Sequence, residues 1–186
     1  METMRQIEKR TRLTRRRFLQ TTGVTAIGVG ALSAGTILID PRGAWAMSLT
    51  TLQPETASTL VQMARDLYPH DRLAEAFYAK AIEPYDAQAA KDPALRDLLT
   101  NGARDLDRRA AEKGAKSYAD FADEKQRVVI LTAVAGTPFF GKVRGDMITG
   151  LYNNPEVWPK LGYEGPSAQE GGYIHRGFND IDWLQA

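Results

Sequence analysis

From Leu49 onward the apolar residues recur at three- and four-residue spacing, the signature of helices with one buried face. A first helix is predicted over 49–68, with Leu60, Met63, Ala64 and Leu67 on one side. Pro54 suits its opening turn, and Tyr68-Pro69 ends it, because proline disfavours helix in the residue before it. Asp71 is placed to cap a second helix with Leu73, Ala76, Phe77 and Ala81 on one face, and Pro84 kinks or ends it. Asp92-Pro93, a cap followed by proline, restarts the chain as a third helix. Leu95, Leu98, Leu99, Gly102 and Leu106 line its apolar side. Arg104, Asp105, Asp107, Arg108 and Arg109 form a solvated one, and Gly114 stops it. Asp123 caps a fourth segment carrying Val128, Val129, Ile130, Leu131 and Val134. Its β-branched run would also suit a strand, but no partner strand pattern appears, so it is read as a buried helix ended by Gly136. Thr137-Pro138 opens a fifth helix with the stripe Phe139, Phe140, Val143, Met147, Ile148 and Leu151. The expected fold is all-α, a small bundle of about five helices over 47–152.

Beyond Tyr152 the periodicity stops. Residues 153–186 interleave Pro155, Pro159 and Pro166 with five glycines and with Trp158, Tyr163, Tyr173, Phe178 and Trp183. A disordered tail would lack aromatics. This irregular segment is ordered only by lying on something, either its own bundle or a partner. Aromatic residues are enriched at interface hot spots. Phe139, Phe140, Trp158, Tyr163, Tyr173, His175, Phe178 and Trp183 are therefore the candidate partner-contacting residues.

The N-terminal 46 residues follow a different pattern. Arg15-Arg16 stand ahead of Phe18-Leu19, an uncharged run extends from Phe18 to Ile39, and Ala44-Trp45-Ala46 closes the segment ahead of Met47. Basic region, apolar region and small-residue cleavage site, in that order, are the layout of an export signal, and the twin arginine marks a Tat-type address. The apolar run is 22 residues and could span a bilayer if kept as an uncleaved anchor. Its glycines and threonines make it weakly hydrophobic, which suits a cleaved Tat signal better. A Tat substrate folds in the cytoplasm, crosses through the Tat translocase folded, and works in the periplasm.

That division changes the charge. The chain of 186 residues carries 24 basic and 23 acidic side chains. Eight bases and three acids fall in the leader, leaving 16 bases and 20 acids on a mildly acidic remainder with no nucleic-acid footprint. There is no cysteine, so no disulfide, no c-type haem and no cysteine-held iron–sulfur cluster.

Candidate chemistry is sparse. His70 and His175 have no neighbour at metal-ligand spacing. His70 reads as a loop histidine with local hydrogen bonds. His175, with Asp180 or Asp182, is the one arrangement that would suit a stand-alone periplasmic enzyme, as base and carboxylate. Otherwise Asp180-Ile-Asp182 reads as a solvated pair, too short of ligands for a calcium loop, and Asp105-Leu-Asp107 as a helix-face pair. No phosphate loop or Gly-x-Ser-x-Gly elbow is present. No catalytic, cofactor or metal residue is assigned.

Phe139-Phe140, Arg144, Leu151-Tyr152, Pro155 and the run Trp158-Pro-Lys-Leu-Gly-Tyr-Glu-Gly165, in that order, together with Leu67-Tyr-Pro-His70 and the twin-arginine leader, carry a resemblance. The chain resembles the gluconate 2-dehydrogenase subunit 3 family, the small subunit of membrane-associated flavoprotein sugar and polyol dehydrogenases. The likeness is sharpest over 139–166, and the ending Gly171-Gly-Tyr-Ile-His-Arg-Gly177 is more similar to the sorbitol- or fructose-oxidising branch than to the gluconate one. The resemblance implies a non-catalytic role. A large GMC-type partner holds FAD and oxidises the sugar or polyol, a membrane cytochrome c subunit passes electrons onward, and the small subunit supports maturation and shared Tat export of the large one. The domains expected are 1–46 signal, 47–152 helical domain and 153–186 partner-contacting tail.

Overall fold

Four prolines set helix starts. Proline at the first helical turn lacks only an N–H that would be unpaired anyway, and its fixed φ suits the helix. The computed structural model describes residues 46–175 and the backbone of 30–32 and 35–39. In it Pro54 opens α1 (Pro54–Leu67), Pro84 opens α3 (Pro84–Lys91), Pro93 opens α4 (Pro93–Ala111) and Pro138 opens α6 (Pro138–Tyr152). Between them lie α2 (Glu75–Ile82) and α5 (Glu124–Val134), and a one-turn α7 (Trp158–Leu161) follows. The fold is all-α. Three predicted caps hold: the side chains of Asp92, Asp123 and Thr137 accept from the amides of Leu95, Gln126 and Phe140 at 3.1, 3.2 and 3.2 Å.

The second predicted helix is divided and shifted. Asp71 caps nothing, because the Leu73 amide turns back to the His70 carbonyl and the helix starts only at Glu75. Its buried face is Tyr78, Ala79 and Ile82, while Phe77 and Ala81 are half-buried. Pro84 does not merely end the helix; it begins another one residue later. The valine-rich α5 is a helix but is not buried all round. Arg127, Ile130, Leu131 and Val134 face inward, and Val128 and Val129 are exposed.

The expectation of no strands is corrected by a small antiparallel sheet: β1 (Gly30–Leu32), β2 (Gly35–Ile39) and β3 (Ala46–Leu49), in that order. β2 and β3 pair with Ile39 opposite Ala46, Leu38 opposite Met47, Ile37 opposite Ser48 and Thr36 opposite Leu49. Residues 30–32 and 35–39 thus lie in strands, and the rest of the run 18–39 lies outside the described residues. β3 alternates outward and inward, burying Met47 and Leu49. Four residues are too few for a period of two to stand out in the sequence.

Helix α1 is central and touches α2, α4, α5 and α6. Ala57, Leu60, Met63 and Ala64 from α1 are fully buried with Leu99, Leu106, Val143 and Leu151. Gly102 of α4 leaves the space that the Phe139 ring fills; a Cβ there would collide with the ring. Three carboxylates tie the helices together. Asp66 accepts from Arg127 Nε (2.7 Å) and a second guanidinium nitrogen (2.9 Å), from the Tyr118 hydroxyl (2.7 Å) and from Gln62 (3.0 Å). Asp107 accepts from the Thr59 hydroxyl (2.8 Å) and the Tyr118 amide (2.9 Å), so it is not part of a purely solvated face. Asp86 gathers the amides of Thr50, Thr51 and Leu52 at 2.8–2.9 Å and the Thr50 hydroxyl at 2.6 Å, strapping the end of β3 to α3. Burial acts to raise the Asp86 carboxyl, but the Thr50, Leu52 and Thr51 bonds outweigh it and hold the group below its ordinary value. Among the described residues no single helix is long and apolar enough to cross a membrane.

Candidate functional site

The turn that follows α1 is built around one hydroxyl. Tyr78 is fully buried on α2, and its hydroxyl donates to the Tyr68 carbonyl at 2.5 Å. It accepts from the His70 amide at 3.2 Å and from Arg65 at 3.0 Å. One donor and two acceptor sites are all a phenol offers, so this one is saturated. Arg65 also donates to the His70 carbonyl at 2.5 Å, with its guanidinium 5.3 Å from the Tyr78 ring centre. The Tyr68-Pro69-His70 turn is thereby fixed at three points of its backbone.

Two side chains project from this turn toward α6, one to its middle and one to its end. The Tyr68 hydroxyl donates to the Arg144 carbonyl at 2.8 Å. His70 Nε2 lies 2.6 Å from the Tyr152 hydroxyl, 82 residues away in sequence, with the rings edge to face at 5.6 Å. His70 is therefore more than a locally bonded loop histidine. Tyr68 also meets Tyr152 edge-on at 5.8 Å. Burial, with Tyr68 and Tyr78 nearby, pushes the Tyr152 phenol up.

The tail continues the same cluster. Val157 is fully buried, and Trp158 Nε1 donates to the Tyr152 carbonyl at 2.6 Å. Trp158 meets Tyr163 edge to face at 5.4 Å. Gly162 closes α7 in the left-handed conformation (φ 80°), and Gly165 (φ 114°) lets the backbone pass the Trp158 ring. Lys160 reaches over the Phe77 ring at 5.4 Å. Between turn and tail lies an open cleft of about 320 Å³ lined by Pro69, His70, Asp71, Arg72, Lys160 and Leu161. The cleft thus carries two cations, Arg72 and Lys160, one carboxylate, Asp71, and a histidine whose Nε2 faces the Tyr152 phenol.

The predicted contact residues are distributed unevenly. Phe139 lies in the core against Gly102, and Phe140 is half-buried on that core. Trp158 is half-buried within the tail cluster. Tyr163, Tyr173 and His175 are exposed, as is Ile174 at 75%. Phe178, Asp180, Asp182 and Trp183 lie outside the described residues, as do Arg15, Arg16, Phe18, Leu19 and Ala44. Ala46 is exposed at the start of β3, and Met47 is buried beside it. Tyr78, Arg65, Asp66 and Arg127 are not singled out by the sequence, and Tyr152 stands out there only through the family resemblance. The available signal was a charged Arg65-Asp66 pair set between the apolar Ala64 and Leu67 of one helix. Among the described residues no group of three or more His, Asp or Glu could hold a metal ion. Compared with protein-family models, curated proteins and solved structures, the chain matches none.

Proposed function

We propose that this chain is a non-catalytic small subunit of a periplasmic FAD-dependent sugar or polyol dehydrogenase complex. It supports maturation of the large GMC-type flavoprotein and carries it through the Tat translocase. The complex, including a membrane cytochrome c subunit, holds it at the membrane. The observation that carries this reading is a juxtaposition. Leu67–His70 and Trp158–Gly165, two of the stretches on which the family resemblance rests, are about 90 residues apart in sequence. They come together through Tyr152 to line one cleft. Exposed Tyr163, Tyr173 and Ile174 supply apolar surface on the tail that follows, as expected of a face that docks a larger protein.

A subunit that binds only the folded flavoprotein stabilises it by mass action. The twin-arginine route fits this role, because only a folded, FAD-loaded partner needs it. The test is co-expression with a large flavoprotein that lacks its own signal. With the wild-type chain, dehydrogenase activity and both proteins are found in the periplasmic fraction. Replacing Arg15 and Arg16 by lysine leaves both in the cytoplasm. Purification of the chain alone as a stable monomer, with no flavoprotein accompanying it from its native host, overturns the proposal.

A further inference from the structure

The junction between leader and domain is folded. The sequence places a cleavage point between Ala46 and Met47, yet that bond lies inside β3. Met47 is 3% exposed and Leu49 1%, and both belong to the core. Across the bond, the Ala46 and Met47 backbones pair with Ile39 and Leu38 of β2. Just past the end of β3, the amides of Thr50, Thr51 and Leu52 are held by the Asp86 carboxylate. A peptidase must take several residues around the scissile bond as an extended, freely accessible chain. Here both residues of the bond are paired in the sheet, and the side chain just after the bond is in the core. Cutting a folded chain at such a place requires local opening, and the rate follows the open fraction.

We infer that the Ala46–Met47 bond is closed to peptidase in the folded protein, so that the exported chain begins upstream of Met47. This rests on the twin-arginine export proposed above, because that route presents the junction already folded. Met47 and Leu49 then act as core residues supplied by the leader boundary, and Asp86 is the positioning residue that keeps the strap closed.

Two measurements test this. In the first, the purified full-length chain and a synthetic peptide of residues 40–52 are treated with a protease that cuts ahead of large apolar residues, and mass spectrometry follows the Ala46–Met47 cut. The folded chain is expected to be cut about a hundredfold more slowly than the peptide, with the ratio reporting the open fraction. Asp86→Asn, checked for helical content by circular dichroism, should speed the cut about tenfold by loosening the strap. Cutting of wild-type chain and peptide at rates within about threefold overturns the inference, since it would mean that the segment is largely open. In the second, the N-terminus of the exported protein is sequenced. A residue upstream of Met47 supports the inference, and Met47 itself overturns it. If nothing is exported, the functional proposal fails alone, and the protease comparison still decides this one.

Discussion

Replacing Arg127 by methionine tests the link between α1 and α5. The Asp66 carboxylate is 3% exposed and the Arg127 side chain 11%, so the pair has little solvent screening. Arg127 supplies two of the four hydrogen bonds that Asp66 accepts, together with the only positive charge among them, and it also donates to the Phe121 carbonyl. The Arg127 group is held above its usual value by the Asp66 bond, against the opposing effect of burial. Methionine retains the packing of the aliphatic stem but leaves a buried carboxylate facing one phenol and one amide. Breaking a buried pair from one side costs about 3–5 kcal/mol, which with a urea slope of about 2 kcal/mol/M lowers the unfolding midpoint by about 1.5–2.5 M. Asp66→Asn combined with Arg127→Met should cost less than the two singles added, with a coupling of about 2 kcal/mol. Arg127→Lys should fall between wild type and Arg127→Met, because lysine restores charge without the bidentate fork. Urea unfolding followed by circular dichroism reads all four variants. A loss below about 1 kcal/mol for Arg127→Met, or strict additivity in the double variant, refutes the claim that this buried pair holds α5 against α1.

Three further outcomes follow from the packing. Gly102→Ala gains about 1 kcal/mol of helix propensity but drives a methyl into the Phe139 ring, and overpacking of about 1–3 kcal/mol should give a net loss in thermal unfolding that Phe139→Leu partly reverses. Asp86→Asn should destabilise the protein at pH 7 and lose that effect in acid. The folded Asp86 carboxyl is held below its ordinary 3.8, so its contribution is complete above that value and disappears as pH falls through the lowered one; urea midpoints of both proteins at pH 7 and in acid should therefore converge. Trp158→Ala removes the bond to the Tyr152 carbonyl and the Tyr163 contact, and it should speed proteolysis within 158–175 while weakening flavoprotein capture by about 2 kcal/mol; unchanged capture would assign Trp158 to the tail's internal packing alone.

Helix starts were the most legible feature, because a capping residue followed by proline acts through local stereochemistry that tertiary context rarely overrides. Asp92-Pro93 and Thr137-Pro138 behaved as such signals require. Asp71, a capping residue with no proline after it, lost to a tertiary demand: the Tyr78 hydroxyl and Arg65 hold the turn's backbone, so the helix begins four residues later. The helical class of Val128–Val134 was legible. Its exposure was not, since a continuous apolar run does not reveal that Val128 and Val129 face outward. The parts of the candidate site were visible as the aromatic tail and as the short stretches Leu67–His70, Leu151-Tyr152 and Trp158–Gly165, but not as one cluster. Its organising contact, His70 with Tyr152, spans 82 residues, and one sequence gives no measure of such distances.

The buried tyrosines also give the protein an optical signature. Burial is the first cause holding the Tyr118 and Tyr85 hydroxyls protonated well above the usual tyrosine value of 10.0, reinforced by Asp66 and Asp146 respectively. In the unfolded chain these phenols would ionise at ordinary values. The folded state therefore loses stability as pH rises beyond about 10, because unfolding then releases protons. The phenolate absorbs further to the red in the ultraviolet than the phenol does. An alkaline titration followed by absorbance should thus show a late, cooperative rise for these two residues, coincident with loss of helical signal. They are intrinsic reporters of whether the α1–α5 and α3–α6 contacts are closed, with no label attached.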